Sequence, residues 1–163
     1  MYALVVDEVD EDALRWSSQR LQNFCDALPV CSLDLPVTDV ERTAVLSWRW
    51  DIDSEEGFSA NIWLALRLAK QLRIRHLFMD LVSVDQNLGG DALLNEVVAF
   101  SDLCQRLPVV VTYDHPSAGT RREWYWTMRR RWILREARAL FGNPHAVHHV
   151  GYTGRWVEVL QLR

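Results

Sequence analysis

Two residues near the end of the chain have the types and spacing for chemistry. Trp132 and Glu136 are four positions apart, so on a helix they lie on one flank, a turn from each other. On that helix Ile133, Ala137 and Leu140 form the inner stripe, with Leu134 and Phe141 beside it, and Arg131, Arg135 and Arg138 lie opposite. Glu136 falls at the edge of the stripe, where a carboxylate can meet both a cleft and water. The neighbouring indole offers a flat apolar face beside it. Arg129 and Arg130 precede the helix and belong to an arginine cluster that can attract phosphates. The competing reading of Glu136 is an ion pair with Arg129, Arg130 or Arg49 at a helix edge, with Trp132 as plain core.

Other chemistry-bearing groups are weaker. Asp80 sits in an apolar run, His76–Val82. A buried carboxylate needs partners, so Asp80 either ties down the following loop or belongs to a site. His145, His148 and His149 follow Pro144 in a stretch that reads as a strand. There His145 and His149 share one side and His148 the other, a poor metal set, and no metal is expected. No GxGxxG, GxxxxGK[ST] or GxSxG occurs, which leaves a Rossmann or P-loop nucleotide site and an α/β-hydrolase unsupported.

The elements that must position these groups come from periodicity. The expected order is a strand at Tyr2–Val6, a helix at Asp10–Leu28, a connection between Pro29 and Pro36, and a strand at Thr43–Trp48. An acidic loop follows at Asp51–Gly57. Next come a helix from a Ser59 cap to about Arg73, a strand at His76–Val82 and a loop at Ser83–Asp91. A helix capped by Asp91 reaches about Arg106, with Leu94, Val97, Val98 and Leu103 inward. After it come a strand at Val109–Tyr113, a loop at Asp114–Thr120, the Glu136 helix up to Gly142, and strands at Ala146–Val150 and Trp156–Leu162. The strands barely alternate, as do strands buried on both faces. Alternating strand and helix then predict an α/β domain with a mostly parallel sheet of about five strands covered by helices. Ligands in such folds bind beyond the carboxyl ends of the strands, which directs attention to Ser47–Asp51, Leu81–Gln86, Tyr113–Thr120 and the start of the Glu136 helix.

With 163 residues, 49% hydrophobic and 25% charged, the chain fits one globular domain. Its net charge of −4 is unevenly spread. Residues 1–57 carry 4 arginines and 13 acids, whereas the rest has 14 basic and 9 acidic residues, with seven arginines between Arg121 and Arg138. That cluster is either a solvated helix face or an anion-attracting patch. Three unpaired-looking cysteines, Cys25, Cys31 and Cys104, argue for a reducing compartment. The apolar run Ala3–Val6 is too short for a signal peptide, and no stretch nears the ~20 apolar residues of a membrane span. A cytoplasmic protein without membrane contact is expected.

Three segments together resemble one family. Leu46-Ser47-Trp48-Arg49-Trp50-Asp51 resembles the first box of TIR domains and the Leu-Ser-Tyr-x-Trp opening of the TIR-like fungal HET domains. Asp80-Leu81-Val82-Ser83-Val84-Asp85-Gln86 resembles the HET segment Asp-x-x-Cys-Ile-Asp-Gln. Arg131-Trp132-Ile133-Leu134-Arg135-Glu136 resembles the HET Arg-x-Trp-x-x-Gln-Glu and the TIR Trp-Cys-x-x-Glu. The match covers about residues 43–141 of a single domain, with 1–42 as an N-terminal strand–helix extension and 142–163 as C-terminal strands. Ser83 stands where HET domains have Cys, and Arg135 where they have Gln.

The resemblance implies a flavodoxin-like, three-layer sandwich. It further implies cleavage of NAD, as substrate rather than cofactor, at its nicotinamide–ribose bond, with Glu136 as the catalytic residue and NAD or a related nucleotide as the bound partner. Ser47, Trp48, Arg49, Trp50, Asp51, Asp80, Arg130 and Trp132 are the candidate substrate-binding residues. Such a protein would be a defence or toxic effector, active on self-association and answering to a protein partner or activator. The alternative is a non-catalytic TIR-like interaction module, to which eight tryptophans could supply anchors. A nucleotide or nucleic-acid sensor using the Arg121–Arg138 cluster is a third possibility, disfavoured by the acidic first third and the lack of a recognised nucleic-acid motif.

Overall fold

The computed structural model describes residues 1–10, 28–48, 60–85, 87–112 and 147–149. Within them lie six strands and three α-helices: β1 (Tyr2–Val5), β2 (Val30–Ser32), β3 (Thr43–Trp48), α1 (Ala60–Gln71), β4 (His76–Phe78), α2 (Asp80–Ser83), α3 (Gly90–Arg106), β5 (Val109–Thr112) and β6 (Val147–His149). The strands form one sheet in the order β2-β1-β4-β3-β5-β6. β4, β3, β5 and β6 run parallel, and β1 runs antiparallel to both β2 and β4. The α/β class therefore holds, with a mixed sheet whose parallel part is its larger part.

β3 and β5 are buried at every position, as the lack of alternation in TAVLSW and VVVT requires. Successive side chains point to opposite faces, and the core divides accordingly. Leu4, Ala44, Leu46, Trp48, Leu77 and Val110 join Ile62, Leu66 and Ala69 of α1 in one cluster. Ala3, Val45, Phe78, Val109 and Val111 join Val97, Phe100, Leu103 and Cys104 of α3 in a second. α1 and α3 thus cover opposite faces. The connection β3–α1–β4 moves one way along the sheet and β4–α3–β5 moves the other way, past β3. Two crossovers of the same hand in opposite directions must use opposite faces.

Several sequence expectations change. The run His76–Val82 is a strand only to Phe78, and Asp80 opens the helical turn α2. A short apolar run does not by itself distinguish a strand from a buried turn of helix. Here Ser83 decides: its Oγ accepts the Met79 N–H at 2.9 Å, while the Ser83 N–H reaches the Met79 carbonyl at 2.8 Å. The expected loop at Ser83–Asp91 starts later, because Ser83 is still helical. Gly89 is the N-cap of α3 and Asp91 lies in the first turn, where its charge suits the helix dipole. Leu94, expected inward, is 52% exposed, and Leu93 packs on the second cluster instead.

The connection between Pro29 and Pro36 contains β2, an unexpected strand. The Pro29 carbonyl accepts the Val5 N–H at 2.8 Å and the Leu33 N–H donates to the Met1 carbonyl at 2.9 Å. A proline has no N–H to give but still offers its carbonyl. β1 and β2, which lie before the matched segment, are thus built into the same sheet. The expected helix at Asp10–Leu28, the Glu136 helix, the loops at Asp51–Gly57 and Asp114–Thr120 and the strand at Trp156–Leu162 fall on or largely on residues outside those described.

Candidate functional site

The order of the parallel strands reverses between β3 and β5. In open α/β sheets such a point opens a crevice beyond the carboxyl ends of the strands. β3 ends there with Ser47 and Trp48, and β5 with Thr112, which is paired in register with Trp48. α1 and α2 both begin at this edge, because each follows the carboxyl end of a parallel strand.

Trp48 and Asp80, 32 positions apart, meet at this edge. The indole N–H of Trp48 donates to Oδ1 of Asp80 at 2.8 Å, and the same oxygen accepts the Leu81 N–H at 2.9 Å. Both side chains are buried, with Trp48 4% and Asp80 7% exposed. Ser47 is fully buried. The indole packs in the α1-side cluster with Leu81 and Val110. Of the sequence-expected site, then, Trp48 and Asp80 are bonded to each other, while Ser47 precedes Trp48 in β3 and directs its side chain to the opposite face of the sheet. Arg49, Trp50, Asp51, Arg130, Trp132 and Glu136 lie outside the described residues.

Two further polar side chains at this edge were not anticipated. Asn61, in the first turn of α1, is fully buried. Thr112 is fully buried, and its hydroxyl has no hydrogen-bond partner among the described residues. The signal for Thr112 was a hydroxyl ending an otherwise apolar VVVT strand. For Asn61 it was an amide adjoining the apolar stripe that starts at Ile62. Thr43 has a similarly unpartnered hydroxyl at the opposite edge, so this property alone does not mark a site.

The second motif also builds its own loop. Oδ1 of Asp85 accepts the Asn87 backbone N–H at 2.9 Å and its side-chain amide at 3.1 Å, and the Asp85 N–H donates to Oε2 of Glu96 at 2.7 Å. This is an aspartate-initiated turn tied to α3. No group of three or more potential metal ligands occurs among the described residues. His148 and His149 lie in β6, paired with Val110 and Val111; His145 lies outside the described residues. Cys31 is a half-buried free thiol, and Cys104 is buried in the α3-side cluster. No helix among the described residues is long and apolar enough to cross a membrane.

No protein-family model, curated protein or solved structure matches the chain.

Proposed function

We propose that this chain is a TIR-like NAD glycohydrolase that cleaves the nicotinamide–ribose bond, with Glu136 as its catalytic carboxylate, and that it serves as a defence or toxic effector on assembly. The reading rests on the three motifs and their order. The observation that carries it furthest is the 2.8 Å bond between Trp48 of the first motif and Asp80 of the second. Residues that the resemblance groups as one site are thereby joined at the carboxyl edge of the parallel strands. The strand order supports the same reading: β4-β3-β5-β6 is the 2-1-3-4 order of flavodoxin-like sheets.

The chemistry asks little of the protein beyond a placed carboxylate. As the glycosidic C–N bond breaks, its electron pair returns to the pyridine nitrogen and nicotinamide leaves neutral. Positive charge develops on the ribose, as in glycoside hydrolysis, and a carboxylate there stabilises it. Water then bonds to the ribose carbon and loses a proton, giving ADP-ribose. In this reading Trp132 stacks on a ring of the substrate and Arg130 holds the pyrophosphate. Arg49, Trp50 and Asp51, which continue the chain beyond Trp48, contact the substrate from the first motif.

The test is nicotinamide release from NAD by the purified chain at high concentration, because many TIR domains act only when clustered. Release that disappears in Glu136→Gln with the fold intact supports the proposal, and no release from the assembled wild type refutes it. A second reading is a TIR-like interaction module. It is favoured by the burial of Trp48 and Asp80 against each other, which serves a scaffold whether or not chemistry follows. It predicts self-association or partner binding that survives Glu136→Ala.

A further inference from the structure

We infer that Asp80 is a positioning residue, which acts through Trp48 to fix the end of β3 against the turn that follows β4. This role rests on the glycohydrolase reading above and refines its substrate-binding set. An indole that is 4% exposed and packed in the α1-side cluster has no open face on which a base can stack. A carboxylate that is 7% exposed, with one oxygen already accepting two N–H groups, is engaged by the protein.

Burying this pair has a cost. An indole N–H and a carboxylate both lose water, and each is tolerable only when bonded. Two apolar side chains would fill the same space without that cost, as replacements of buried ionic groups show. What the pair adds is geometry. One bond 2.8 Å long links the last residue of β3 to the first residue of α2, and the Leu81 N–H on the same oxygen fixes the direction of the turn. The Ser83 hydroxyl on the Met79 N–H closes that turn from the other side. The two chain segments leaving the carboxyl edge of β3 and β4 therefore start from a locked relative position. Small displacements at such a point are felt in catalysis, since misplacement of about 1 Å can cost on the order of 10²-fold.

The experiment compares wild type, Asp80→Ala, Asp80→Asn, Trp48→Phe and the Asp80→Ala/Trp48→Phe double variant. Nicotinamide release is measured per folded molecule, together with exchange of the Trp48 indole N–H by NMR, the signal being assigned by its loss in Trp48→Phe. Asp80→Ala and Trp48→Phe are each expected to lower kcat/KM by about 10- to 100-fold. The double variant is expected to be no worse than the poorer single one, as for partners in one interaction. Asp80→Asn keeps an oxygen for the indole and is expected to recover most of the loss, with the slow indole exchange of the wild type. If Asp80→Asn is as impaired as Asp80→Ala and the double loss is multiplicative, Asp80 meets the substrate itself and the inference is wrong. Unchanged kcat/KM with reduced stability makes the pair merely structural and also overturns it. Absence of release by the wild type overturns the glycohydrolase reading, and this role with it. Should Asp80→Ala not fold, Trp48→Phe and Asp80→Asn decide the matter.

Discussion

His76 opens β4 at the edge of the sheet opposite the Trp48–Asp80 pair. Burial and the adjacent Arg75 lower its pKa from the ordinary 6.5, against a smaller opposing pull from Asp39. Above pH 6.5 both folded and unfolded chains hold His76 largely neutral. As the pH falls through 6.5 toward the lower folded value, the unfolded chain takes up the proton first, so stability falls. His76→Gln should flatten that part of the stability–pH curve, read by urea unfolding between pH 7.5 and pH 5; an unchanged slope would assign it to other groups. At this scale the sequence was partly legible. It pointed to Asp80 as a carboxylate in need of partners, and these include the Trp48 indole and the Leu81 N–H. Which indole would answer could not be read, because the contact spans 32 positions and depends on strand order.

The ends of elements carry most of what periodicity missed. α1 closes with Arg73 at φ 59°. The Arg73 N–H bonds the Lys70 carbonyl at 3.1 Å and the Ile74 N–H bonds the Ala69 carbonyl at 2.9 Å, the Schellman pattern that favours glycine at the left-handed position. Ile74 then drops into the α1-side cluster. Arg73→Gly relieves a Cβ penalty of about 1–2 kcal/mol in that conformation, is offset by about 0.5–1 kcal/mol of extra unfolded-chain entropy, and should raise stability by about 0.5–1 kcal/mol net, measured by chemical unfolding. A loss instead would mean that the arginine side chain contributes more than its backbone costs. The extent of Thr43–Trp48 was legible because an apolar run buried on both faces has no ambiguity of face. Leu94 was misjudged by one position, since Leu93 and Leu94 are adjacent and α3 turns Leu93 onto the sheet. The direction of β1 was illegible, because no residue type records whether a strand runs parallel or antiparallel to its neighbour.

For the whole molecule, two helices on opposite faces make the sheet a shared wall between two cores. Phe100 is the largest fully buried side chain in α3, and Phe100→Ala should cost about 3–5 kcal/mol. Because both clusters share β3, β4 and β5, the loss should appear as one cooperative transition at lower denaturant concentration, and two separated transitions would contradict that coupling. The alternating pattern of apolar strands and amphipathic helices predicted the α/β class. The strand order, which decides where a crevice opens, emerged only from the pairing of β3 with both β4 and β5. The proposed NAD cleavage by Glu136 needs the three motifs to converge across the whole molecule. Nicotinamide release by the assembled wild type and by Glu136→Gln tests it most directly. The account predicts steady release from the wild type and at least a ~10²-fold loss in the variant, the scale of removing one charge-stabilising group, with unfolding unchanged. Equal release from both, or none from the wild type, would contradict it.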